Sequence, residues 1–180
     1  MRLKFLPFLI SLILLISLIA LLPLLINTQE SVSASGVIVG LFPGFGLGLV
    51  LATCSYEEQA GTRGLLLVPL AALLGMSMAV LCWLFASIVG AKPLLLVLGY
   101  GAVNLFGAFI FFALVRKLYA TQVSNRKLLP AAYASAATAL VLLFFPLTLF
   151  SHGLIAAAWV GCVGAGMAMV SGRRKRNARA

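Results

Sequence analysis

Catalytic chemistry has little to draw on in this chain, which holds one histidine, His152, and three acids, Glu30, Glu57 and Glu58, with no aspartate. General acid–base work needs paired carboxylates, or a histidine beside one. Glu57 and Glu58 sit in the polar stretch "SYEEQAGTRG", whereas His152 sits in "SHG" between two later apolar runs. The topology derived below puts them on opposite sides of a membrane. Cys82 and His152 would share a side, but nothing in their spacing orients a thiol toward a base. Cys54, Cys82 and Cys162 all fall within or at the ends of apolar runs, where they read as small apolar fillers rather than a disulfide framework or zinc set. The sequence therefore predicts no enzyme, no metal and no cofactor.

The remaining polar candidates lie inside apolar runs. Tyr100 and Asn104, four residues apart in "GYGAVNLFG", share one helix face, and the Asn104 amide needs a partner there. Ser135 and Thr138 are expected to bond back to their own helix. In "GVIVGLFPGFGLG", Gly36, Gly40, Gly44 and Gly48 recur every four residues, a bare stripe that lets another backbone approach. Pro43 lacks an N–H and crowds the carbonyl of Val39, so the helix is expected to kink or open beside Gly44. Freed carbonyls of that kind line solute sites in transporters. Pro43, Gly44, Tyr100 and Asn104 are accordingly the candidate solute or kink site. No Asp, Glu, Lys, Arg or His interrupts the apolar runs, which speaks against a carboxylate-driven symporter or a charged selectivity ring.

The elements that carry these residues follow from composition. Of 180 residues, 63% are hydrophobic and only 9% charged, with a mean hydropathy of +1.18, far too apolar for a soluble domain. The apolar residues form six runs, at about 5–26, 36–54, 65–89, 94–115, 131–150 and 154–172, most of them long enough to span a bilayer. They show no apolar–polar alternation, so a β-barrel is excluded. The expected fold is all-α: a six-transmembrane-helix bundle forming a single domain over 1–172, with a basic tail at 173–180. The first run exceeds a signal-peptide core and the second follows almost at once, so a retained helix is expected.

Six crossings would put both termini on one side, together with Arg2, Lys4, Arg63, Arg116, Lys117, Arg126, Lys127, Arg173, Arg174, Lys175, Arg176 and Arg179. The other side would hold only Lys92. That asymmetry predicts cytoplasmic N- and C-termini in a cell inner membrane. Trp83 and Trp159 are expected at the outer headgroup level, and Tyr56, Tyr119 and Tyr133 at the inner one. Net charge is +10, which in a soluble protein would point to nucleic acid. Here Arg116, Lys117, Arg126, Lys127, Arg173, Arg174, Lys175 and Arg176 are instead expected to contact anionic lipid headgroups, at about 1 kcal/mol per charge.

The function expected is that of a small polytopic subunit or accessory protein, acting by helix packing with a membrane partner. The alternative is a small transporter or substrate-binding membrane component for a neutral or lipophilic solute. In size and layout the chain is similar to substrate-binding components of energy-coupled vitamin transporters, without sharing their motif residues.

Overall fold

Where nearly every side chain is apolar, the backbone must satisfy its own hydrogen bonds, and a helix does this within one segment. The computed structural model describes residues 3–25, 32–55, 60–90, 92–119, 125–145 and 148–172, and they are helical almost throughout. The helices are α1 (Phe5–Leu25), α2 (Val32–Cys54), α3 (Ala60–Val89), α4 (Pro93–Leu118), α5 (Asn125–Ala137) and α6 (Leu149–Gly172). A 3-10 segment, Thr138–Leu143, extends α5. The described residues contain no strand, only one isolated antiparallel bridge between Leu3 and Ser55. Three helical stretches are long and apolar enough to cross a membrane: Gly64–Val89, Pro93–Leu118 and Phe150–Val170. Shorter apolar helix covers Phe5–Leu21 and Gly40–Cys54.

Two boundaries have clear local causes. Gly90 adopts φ +67°, the left-handed conformation that ends α3, and Pro93 opens α4 with its fixed φ. At the other boundary, "SHG" is not a turn. Ser151, His152 and Gly153 lie within the first two turns of α6, because Thr148 caps that helix. The Ser151 N–H donates to Thr148 Oγ1 at 3.3 Å, while the Thr148 N–H donates to Ser151 Oγ at 2.9 Å. This reciprocal pair is a capping box with serine in the fourth place. It moves the start of α6 five residues ahead of the expected 154, while the fifth helical segment ends at Leu143 rather than at 150.

Neighbouring helices run antiparallel and touch through glycines. A Cβ added to Gly44 would overlap the carbonyl oxygen of Ala71, and one on Gly75 would overlap that of Gly40. A Cβ on Gly48 would come 3.0 Å from the Cα of Val68. The α2–α3 contact is therefore backbone against backbone. The glycine hydrogens that stand in place of a Cβ point at facing carbonyls, a contact worth about 0.5–1 kcal/mol each. Gly36 belongs to the same helix, but its surroundings lie outside what is described. α2 stays helical through Pro43, so the expected opening does not occur there.

The glycines off this stripe serve other neighbours. Gly46 receives the side chain of Leu15 from α1, and Gly164 of α6 receives Leu12. Phe8, Leu12, Leu15 and Ile19 thus form the buried stripe of α1. On the far side of the bundle, Gly107 of α4 receives Met78 and Gly99 receives Phe85, both from α3. The main core gathers these α1 side chains with Leu47 and Leu51 of α2, Phe111 and Phe112 of α4, and Trp159 and Val160 of α6.

Gly44→Ala is expected to lower stability by about 1–3 kcal/mol, since the obstructing atoms are backbone and cannot swing away. Leu49→Ala, at a position 44% exposed, is expected to stay within about 0.5 kcal/mol of wild type. Thermal unfolding in detergent reads both, and equal melting temperatures would contradict a backbone seam.

Candidate functional site

α4 turns one face toward α5, its 3-10 extension and α6, and Tyr100 and Asn104 both lie on that face, buried. Asn104 Nδ2 donates to Thr138 Oγ1 at 2.9 Å. Thr138 Oγ1 in turn donates to the Ser135 carbonyl at 2.7 Å, and Ser135 Oγ to the Ala132 carbonyl at 2.6 Å. Both hydroxyls thus bond back to their own helix. Ser135 Oγ also lies 3.3 Å from the Asn104 carbonyl, which accepts the indole N–H of Trp159 at 3.1 Å. Each hydroxyl engages a carbonyl three residues back, and the tighter 3-10 winding starts at Thr138. This network ties three elements together in the buried interior of the bundle.

Trp159 does not lie where the sequence placed it. It is 3% exposed and packs edge-on against Phe111, with ring centroids 6.1 Å apart. An indole enclosed by protein and bonded to a carbonyl is not a headgroup anchor. Trp83, by contrast, is half exposed on α3.

One helical turn before Asn104, the Tyr100 hydroxyl meets His152 Nε2 at 2.7 Å. His152 Nδ1 lies 2.8 Å from the Thr148 carbonyl, so both ring nitrogens are engaged. Cys82 is buried in the same small cluster as Tyr100, together with Leu96, Ala139, Leu142 and Ile155. The arrangement holds α6 against α4, with the Tyr100 side chain buried at the contact.

The four residues of the candidate solute site are not brought together. Pro43 and Gly44 belong to α2, and Gly44 faces Ala71 and Ala72 of α3. Tyr100 and Asn104 face α5 and α6 and bond His152 and Thr138. The structure shows instead an open groove of about 290 Å³ between α3 and α4. Leu74, Met78, Val103, Phe106 and Gly107 line it, and its one hydroxyl, Ser77, donates to the Leu73 carbonyl of its own helix at 2.8 Å. None of the four candidates lines this groove.

Of the basic residues, Lys117, Arg126 and Lys127 are exposed and Arg116 is half-buried, at the end of α4 and the start of α5. Arg173, Arg174, Lys175 and Arg176 lie outside the described residues, as do Glu30, Glu57 and Glu58. Among the described residues no three His, Cys, Asp or Glu side chains gather as a metal site. Sequence reasoning misses the Tyr100–His152 pair because it puts His152 in a turn. The Thr148-x-x-Ser151 spacing is the signal that would place it on a helix. Searched against protein-family models, curated proteins and solved structures, the chain finds no match.

A double-mutant cycle of Asn104→Ala and Thr138→Ala is expected to give a coupling energy of about 0.6 kcal/mol, and no more than about 1.7. Brominated lipid is expected to quench the fluorescence of Trp159→Phe protein, which retains Trp83, much more than that of Trp83→Phe protein.

Proposed function

We propose that this is a six-crossing protein of the cell inner membrane, with both termini cytoplasmic, that works by packing against another membrane protein. The charge asymmetry supports the orientation, as does the way helix ends group together. Lys4 donates its N–H to the Cys54 carbonyl at 2.9 Å, which puts the start of α1 beside the end of α2. Gly64, near the start of α3, lies beside Tyr119 at the end of α4. Gly166, late in α6, lies beside Ala131 of α5. These neighbours support one basic end formed by Lys4, Arg116, Lys117, Arg126 and Lys127, where exposed Lys117, Arg126 and Lys127 would meet anionic headgroups.

The observation that carries the partner reading is the outer face of α5. Pro130, Tyr133, Ala134 and Ala137 are exposed there, where α1, α3 and α4 expose leucine, isoleucine and phenylalanine. Ala134 and Ala137 leave that surface shallow, which suits close approach by another transmembrane helix. The polar groups of Tyr100, Asn104, Thr138, His152 and Trp159, in contrast, are occupied with one another. The second reading, a carrier of a neutral or lipophilic solute, is favoured by the apolar α3–α4 groove.

Native mass spectrometry of the protein purified from its own membrane separates the two. Ala134→Trp is expected to lose a co-purifying subunit while keeping the wild-type melting temperature, and Ala102→Trp, in the groove, is expected to keep that subunit. A bound small molecule lost only from Ala102→Trp would favour the solute reading. For the topology, in a background free of native cysteines, Lys127→Cys and Lys92→Cys are expected to label from opposite sides of sealed vesicles. Labelling from the same side would overturn six crossings.

A further inference from the structure

The hydrogens in the Tyr100–His152 contact can be assigned from the chemistry of its partners. The Thr148 carbonyl can only accept, so His152 Nδ1, 2.8 Å away, carries the hydrogen. In the neutral ring Nε2 then holds a lone pair, and the Tyr100 hydroxyl, 2.7 Å away, donates to it. The Thr148 carbonyl also accepts the His152 backbone N–H at 3.1 Å and Ser151 Oγ at 2.9 Å. The imidazole is thereby held at the N-terminus of α6.

Adding a proton to Nε2 reverses this bond. Nε2 becomes a donor, and the Tyr100 hydroxyl must turn its hydrogen away although the side chain is only 2% exposed. The positive charge would also arise in the first turn of α6, at the positive end of the helix dipole. No acid offsets it among the described residues. On α3 the titratable side chain in this cluster is Cys82; on α4 they are Tyr100 and, at the N-cap, exposed Lys92. The helical residues of α1 and the 3-10 segment carry none. Arg126, Lys127 and Tyr133 of α5 and Cys54 of α2 lie toward the opposite end, and Cys162 lies ten residues further along α6.

We propose that the Tyr100–His152 pair is a pH-sensitive latch between α4 and α6, closed when the imidazole is neutral and released when it is protonated. His152 is the single histidine of the chain, so any transition between pH 8 and pH 5 has one leading side chain to answer for it.

The test uses the full-length protein in detergent and needs no knowledge of its orientation or partner. Wild type is expected to lose at least about 3 °C of melting temperature between pH 8 and pH 5. His152→Gln is expected to lose less than half as much, and Tyr100→Phe is expected to start lower at pH 8 and change less. The same pH dependence in wild type and His152→Gln would overturn the latch. If His152→Gln does not fold, the ¹⁵N spectrum of the labelled histidine in wild type decides. At pH 8 it is expected to show hydrogen on Nδ1 and a bare Nε2; hydrogen on Nε2 would overturn the proposal.

Discussion

The carbonyl of Ala71 occupies the place where a Cβ of Gly44 would stand, and most of the bundle's geometry follows from contacts of that kind. Between apolar helices surrounded by lipid, burial of apolar area supplies no preference for one neighbour over another. What distinguishes neighbours is how closely two backbones approach and how many dispersion contacts that approach creates. The α2–α3 seam solves the problem with small residues on both sides, Gly40, Gly44 and Gly48 against Ala71, Gly75 and Ala79. It sets the register of the two helices. The other helices are then placed by side chains that fill notches left by further glycines.

The notches explain a helix that otherwise looks featureless. α1 is leucine and isoleucine on nearly every side, so nothing in its own composition separates an inner face from an outer one. Its inner face is chosen by its neighbours, where Gly46 and Gly164 leave room for Leu15 and Leu12. The same division of labour places Met78 over Gly107 and Phe85 over Gly99. A residue that contributes no side-chain atoms decides where a large one goes.

Polar groups add a second layer of specification. Asn104, Thr138, Ser135 and the indole of Trp159 form one network, and Tyr100, His152, Thr148 and Ser151 another, on the same side of α4. Each bond is modest, but an unpaired amide or hydroxyl within an apolar bundle is costly, so the networks discriminate against a rotated or shifted α6. They also use up the polar groups on that face of α4. What remains outside these networks is the exposed small side chains of α5 and the α3–α4 groove.

Residue spacing alone was enough to establish the all-helical class, the alignment of Gly40, Gly44 and Gly48 on one face of α2, the shared face of Tyr100 and Asn104, and the back-bonding of Ser135 and Thr138. These are local properties, read from a period of 3.6 residues and from side chains that reach their own helix. The sequence by itself did not determine that α2 would stay helical through Pro43. Nor did it determine which face of α1 is buried, that Asn104 meets Thr138, that His152 belongs to α6, or that Trp159 points inward. The bonded pairs among these join residues between 34 and 55 positions apart, and the packed ones join different helices. An apolar run carries no contrast between its faces, so only the tertiary structure, by matching bulk to notch and donor to acceptor, could decide them.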